Sequence, residues 1–419
     1  MIRSVSRRAF LGTAGAGAIT MATVPGASLV AAGGTPAAAT RSTAARASRV
    51  VPFHGAHQAG IVTPAQDRLL FASFDVLTDD RDELVGMLQE WARASRRMAA
   101  GQPVGADNAD QDAPPDDTGE VDDVSAAALT VTFGLGASLF DREGDPFLIA
   151  ARKPAALVSM PVFAGDEIDP ARSDGDVAVQ ACADDPQICF HTIRNLARIG
   201  RGVVALRWSQ SGFGRTSSTD ASQTTPRNLM GFKDGTNNLV AEDTARAREH
   251  VWVAESDEPA WMRGGSYLVT RRIRMLLEVW DRSTLADQEQ TIGRVKGSGA
   301  PLGGTGEHDP VHLAARVDGE PAVPADAHIR LAAPEKNDGI RLLRRGYSFT
   351  DGIDPVTNQL DAGLFFIAYQ RDPRRGFIPV QEHLRTDALN EYIRHTGSAV
   401  FAIPPGIGPR GFVGETLFT

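Results

Sequence analysis

Four stretches of the chain place a run of apolar residues just ahead of a helical repeat. Residues 68–76 read as a strand, and 81–98 follow with apolar positions at helical spacing behind Thr78, a helix-capping type. Residues 176–182 read as a strand, with Asp184 or Asp185 and then Pro186 opening a helix over 187–199. A strand-rich run covers 266–280, and Ser283 and Asp287 mark the start of a helix over 284–294. Residues 364–369 form a fourth strand, followed by helices over 379–383 and 386–396. Further strands are expected at 129–133, 203–209 and 400–403. The strand–helix–strand order occurs once in each half, which predicts an α+β protein with a duplicated split βαβ unit and antiparallel sheets. No strand is followed by a glycine-rich dinucleotide fingerprint or a nucleoside-triphosphate loop, and the glycine-rich stretch 297–304 reads as a plain loop.

One segment departs from this pattern. Residues 99–123 are rich in Asp, Gly, Pro and Ala and read as a solvated or disordered insertion interrupting the first half. The rest of the composition, 42% hydrophobic and 23% charged, is that of an ordinary globular chain. The net charge of −9 gives a nucleic-acid partner no electrostatic support.

The first thirty-odd residues read as a targeting signal. Ser6-Arg7-Arg8-Ala9-Phe10-Leu11-Gly12 is a twin-arginine pattern ahead of an Ala/Gly-rich stretch that Pro25 interrupts. The expected course is export of the folded chain by the twin-arginine translocase, to an extracellular, periplasmic or envelope site. Loss of residues 1–32, with Arg3, Arg7 and Arg8, would take the charge to −12, and residues 33–49 would remain as a tail. The two cysteines, Cys182 and Cys189, cannot form a zinc or iron–sulfur site alone, and read either as one small-loop disulfide or as two buried thiols.

Candidate chemistry lies in two segments. Gly231-Phe232-Lys233-Asp234-Gly235-Thr236-Asn237-Asn238 holds one carboxylate between glycines, which let backbone approach a planar cofactor closely; the same composition suits a turn. The stretch 327–349 carries His328, an imidazole suited to axial ligation of haem iron or simply a partly buried polar residue, and the pair Arg344-Arg345. A carboxylate above a haem can move a proton between the two oxygens of hydrogen peroxide, and a guanidinium there stabilises the charge that develops as the O–O bond breaks.

In this company the chain resembles the dye-decolorizing peroxidases, in the exported subgroup that also includes haem proteins of iron uptake. Gly231-Phe232-Lys233-Asp234-Gly235 matches the family's Gly-x-x-Asp-Gly signature. The segments 53–61, 264–282 and 388–393 are similar to its opening, mid-chain strand and C-terminal helix. The resemblance covers about residues 50–415 and implies two ferredoxin-like halves, 50–215 and 216–419, enclosing haem b. It implies His328 as the iron's axial ligand, Asp234 as the distal acid, and Arg344 rather than Arg345 as the distal cation. It also implies Glu391 as the acidic partner of His328, Arg330 as a haem-propionate partner, Gly235 beside the cofactor, and Phe366 closing the pocket.

The implied activity is reduction of hydrogen peroxide through an oxyferryl intermediate, with one-electron donors oxidised: dyes, phenolic compounds or a protein partner. Trp208, Trp252, Trp261, Tyr347, Tyr369 and Tyr392 are the candidate electron carriers. The competing readings are a deferrochelatase-like haem-handling protein, and a peroxide-dependent partner of an exported copper protein. A homo-oligomer is compatible with either.

Overall fold

The computed structural model describes residues 49–105 and 112–419. The expected leader and most of its tail lie outside the described residues, as do 106–111 of the insertion. Among the described residues no helix is long and apolar enough to cross a membrane.

The first half runs β1 (Arg68–Val76), α1 (Arg81–Ala99), β2 (Thr130–Gly136), β3 (Val177–Ala183), α2 (Pro186–Ile199) and β4 (Val204–Arg215). Its strands lie in the order β4-β1-β3-β2, all antiparallel, which is the ferredoxin-like arrangement. The second half repeats this with β5 (Ser266–Met275), α3 (Leu285–Ile292), β6 (Tyr347–Ile353), β7 (Leu360–Gln370), α4 (Phe377–His383) and β8 (Ile393–Ile403), in the order β8-β5-β7-β6. The sheets meet at two narrow seams. Phe213 faces Ser348 and Arg215 faces Tyr347 between β4 and β6, while Phe401 faces Gly136 and Ala402 faces Leu135 between β8 and β2. The result is a closed ring of eight strands.

Closure gives two cores. Alternation along the strands sends Phe71, Trp208, Phe365 and Phe401 inward, where the Phe71 ring lies 5.3 Å from Trp208 and 5.5 Å from Phe365. The other face of the first sheet is covered by α1 and α2. Trp91 of α1 is fully buried there and donates through Nε1 to the Leu196 carbonyl of α2 at 2.8 Å. Strand β3, buried along its whole length, separates the cores. Its Cys182 belongs to the ring interior and Cys189 of α2 to the helix-covered layer, so the sheet stands between two free, buried thiols. Burial pushes both thiols up in pKa.

Local chemistry departs from expectation in three places. Asp80, not Thr78, caps α1 by accepting from Asp82 and Glu83 N–H groups, and Thr284 caps α3 by accepting from Asp287 N–H. The run 266–280 stops being a strand at Met275, and Leu277–Trp280 makes one helical turn. The helix expected over 386–396 is instead two 3-10 turns, Leu384–Thr386 and Ala388–Glu391, before β8 starts at Ile393. Pairing from Ile393–Met275 to Ile403–Ser266 takes these residues into the sheet, so tertiary contact overrides local helical spacing.

Candidate active site

The sheet of the second half presents Ile273, Met275, Leu364, Phe366 and Ile393 on the face away from the ring interior. Loops laid over that face leave a cavity of about 570 Å³, within the range of cofactor sites. Every described residue lining it lies between 216 and 395, so among the described residues the second half alone builds it.

His328 opens the short helix His328–Leu331 and lines this cavity, with about a third of its side chain accessible (33%). Its Nδ1 lies 2.6 Å from Oδ2 of Asp387, whose other oxygen accepts from Leu389 N–H and caps the 3-10 turn. The segments are also tied by Ala388 N–H donating to the Asp326 carbonyl. An imidazole that donates Nδ1–H to a carboxylate keeps the lone pair of Nε2 for a metal and gains basicity. Burial lowers the His328 pKa, but the charge and hydrogen bond of Asp387 together with the charge of Asp234 outweigh it, and the net shift is upward from 6.5.

The acidic partner is therefore Asp387, not Glu391. Glu391 is exposed and does not line the cavity, because the turn ends there and the chain swings into β8. Arg330 also takes another role from the one expected. Its Nη1 donates to the carbonyls of Leu313 and Val323, which fixes the loop ahead of His328 rather than facing the cavity.

Asp234 lines the same cavity. Its backbone N–H donates to the Pro226 carbonyl, Oδ2 accepts from Asn228 Nδ2 at 3.2 Å, and Oδ1 lies 3.3 Å from Nη1 of Arg344. Gly235 has φ of 82°, and a Cβ there would stand 2.7 Å from Cα of Ser217, so the turn that carries Asp234 needs glycine. Arg344 sits in a two-residue strand, Leu343–Arg344, paired with β7. Asn238 grips it twice, accepting from its N–H and donating to its carbonyl, both at 2.8 Å. Alternation then decides the arginine pair: Arg344 faces the cavity, while Arg345 is fully buried in the ring interior against Gln66, Thr63 and Thr219.

Phe366 lines the cavity beside Phe377, their ring centres 5.8 Å apart. Two further lining residues carry polar chemistry. Arg294 is buried, donates from Nη1 to the Glu307 carbonyl at 3.0 Å, and is lowered in pKa by burial and by Arg344, with Glu307 and Asp234 opposing. His395 accepts at Nδ1 from Arg271 Nε at 3.3 Å; burial and that guanidinium push it down to about 3, so it stays neutral. Neither stands out in the sequence, since Arg294 adjoins a plain glycine-rich loop and His395 lies in a segment with helical spacing. The six candidate electron carriers are all buried. Tyr392 packs edge-on against a further buried aromatic, Trp280, at 5.0 Å, and Trp280 against the cavity-lining Phe232 at 5.9 Å.

The donor set fits haem b: one imidazole with Nδ1 engaged, an apolar wall able to take a flat macrocycle, and a carboxylate–guanidinium pair facing the same space. Comparison with known proteins agrees. Residues 58–214 match the N-terminal and 225–408 the C-terminal model of the Dyp-type peroxidases, and the chain belongs to that family. It is therefore a haem peroxidase, one that reduces hydrogen peroxide at the expense of one-electron donors. Among curated proteins it is 38% identical to a deferrochelatase of Yersinia pestis over 85% of this chain and 82% of that one. The deferrochelatase of Escherichia coli K12 is 37% identical over 85% and 84%. Among solved structures, ferric DtpA from Streptomyces lividans superposes with a TM-score of 0.81 at 39% identity, covering 89% of this chain and 98% of that one. A DyP-type peroxidase from Cellulomonas bogoriensis gives 0.79 at 39%, covering 89% and 99%.

Two consequences of the His328–Asp387 contact are measurable. Asp387→Ala should weaken haem binding by about 10–100-fold in titrations of the haem-free protein, as loss of a ligand's outer partner does. Unchanged affinity would show that Asp387 only shapes the turn. To hold haem iron His328 would first have to lose its proton, so haem affinity should also fall by about tenfold for each pH unit below the raised pKa. Haem titrations between pH 5 and 9 would show this. In the haem-free protein the same pair stabilises the fold below about pH 6.5 and ceases to do so as pH rises through the raised value.

Proposed function

We propose that the cavity cleaves hydrogen peroxide, with His328 as the residue that would hold the iron of haem b and Asp234 and Arg344 as the groups that act on peroxide. One observation carries this reading: Asp234 and Arg344, 3.3 Å apart, line the same cavity as an imidazole whose Nδ1 is held by a carboxylate. Bound haem iron supplies the redox centre that takes up the oxidising equivalents of peroxide. Asp234 accepts the proton of the nearer peroxide oxygen and returns it to the farther one, which departs as water. Asn228 and Arg344 hold the carboxylate in place, and Arg344 stabilises negative charge on the departing oxygen. The wall of Phe366, Leu364 and Met275 keeps bulk water away from these groups and strengthens each interaction.

The reductants would be small aromatic compounds or a protein donor, and the place of action outside the cytoplasm, reached through the twin-arginine leader. With the candidate tyrosines and tryptophans buried, donors too large for the cavity would deliver electrons through packed aromatics such as Tyr392 and Trp280. The names of the curated relatives favour a second reading, in which haem is handled for its iron. Peroxide titration of the purified protein, followed by haem absorbance with and without a phenolic donor, separates the two. Turnover with retained haem supports peroxidase action. Release of iron-free porphyrin without turnover would favour the second reading.

A further inference from the structure

The acidic insertion is not detached from the body. Its described part lies along α2, which turns His191, Arg194, Asn195 and Arg198 toward it at helical spacing. Asn195 Nδ2 donates to Thr118 Oγ1 at 2.7 Å, and Arg198 donates to the Pro115 carbonyl. Between these contacts the His191 ring, 3% exposed, is approached by two carboxylates. Glu120 Oε2 lies 3.3 Å from Nδ1, and Asp117 Oδ2 lies 3.6 Å from Nε2. One nitrogen of His191 and one oxygen of each acid lie within 4.8 Å of one another. A single cation with ligand bonds of about 2.0–2.3 Å can bridge groups spread that far after slight contraction.

A second observation singles out this cluster among acidic patches. Both carboxylate oxygens of Glu120 are shut off from solvent, yet neither meets a donor at hydrogen-bonding geometry. Their nearest charged neighbours are the His191 ring and the Arg194 guanidinium, 3.4 Å away. A carboxylate out of water and held only by these long contacts is under-satisfied, and a cation coordinated directly to it would supply what they lack. Asp117 is already aimed by backbone, Oδ1 accepting from Gly119 N–H and Oδ2 from Val104 N–H. The side chain of Arg194 is 51% exposed and can swing into water as a cation enters.

We infer that Asp117, Glu120 and His191 form a binding site for a divalent transition-metal ion, of which Zn²⁺ is the representative, clasping the insertion to α2. An imidazole with two carboxylates suits Zn²⁺ or its neighbours better than Ca²⁺ or Mg²⁺, which take six or more oxygens, and three protein ligands leave a tetrahedral ion one position for water. None of the three lines the haem cavity, so the site can be emptied without touching the peroxidase centre.

The test uses the haem-loaded protein, stripped with a chelator and titrated calorimetrically with ZnCl₂, and in parallel with CaCl₂. One Zn²⁺ per chain should bind, CaCl₂ should not reproduce it, and His191→Gln and Glu120→Gln should each weaken it by more than about tenfold. The haem absorbance of both variants should match that of the parent, which shows that they have folded. Hydrogen exchange in 112–123 should slow on adding Zn²⁺ to the parent and not to His191→Gln. Absence of saturable binding, or equal binding by both variants, would overturn the site; in that case the cluster is a packing contact of Asp117 and Glu120 with His191 and Arg194.

Discussion

Asp234→Ala is expected to slow the reaction of the ferric protein with hydrogen peroxide by about 10²–10⁴-fold, the usual loss when a positioned proton carrier is removed. Stopped-flow absorbance of the haem band reads the rate directly. Asp234→Asn is the sharper version. An amide in the same place keeps the contact with Asn228 and leaves Gly235 and Ser217 undisturbed, but cannot take a proton at neutral pH. If proton transfer is the role, the amide should be as slow as alanine. An amide variant that reacted like the parent would assign Asp234 to positioning alone, and the proton would have to move through water. The haem-binding affinity of both variants should stay near that of the parent, because His328 and its partner Asp387 are untouched.

Arg344→Leu is expected to cost about 10²–10³-fold in the same step, comparable with removing a donor from a site where charge develops. Arg344 carries two functions that can be separated. Its guanidinium contacts Asp234 Oδ1, while its backbone is gripped by Asn238 irrespective of the side chain. The substitution should therefore leave the strand in place and remove charge alone. Arg344→Lys keeps a positive charge but loses the planar fork, and should fall between the two.

Much of the fold is legible in the sequence because its elements carry their own local signals. Strand β1, helix α1 and the Pro186 start of α2 are visible from spacing and capping types, and their repetition in each half points to the duplicated arrangement. What escapes is set by distant contacts. Residues 393–396 have helical spacing, yet β5 draws them into the sheet, and no local preference announces that. In the site the resemblance points to Glu391, whereas the residue beside His328 is Asp387. Asp387 and Glu391 are acids one helical turn apart, and the backbone change between them alone decides which reaches His328. The flanking glycines of Asp234 read equally as a turn, and it is the family signature that singles out Asp234 and the family pattern that prefers Arg344 to Arg345; both line the cavity. Arg294 and His395 are not legible in the sequence, because a buried polar side chain is recognisable only once its surroundings are known.

The closed ring has a consequence for how this protein behaves in company. In a sheet with ends, the outermost strand carries a row of unsatisfied amide groups onto which another chain can add. Here each of the eight strands has a neighbour on both sides, because the two halves supply each other's missing partners at the seams. Either half alone would expose two such margins: β4 and β2 in the first, β6 and β8 in the second. Completion of the ring thus serves as protection against self-templated aggregation, and the vulnerable period in the life of the chain is the interval when one half has formed and the other has not.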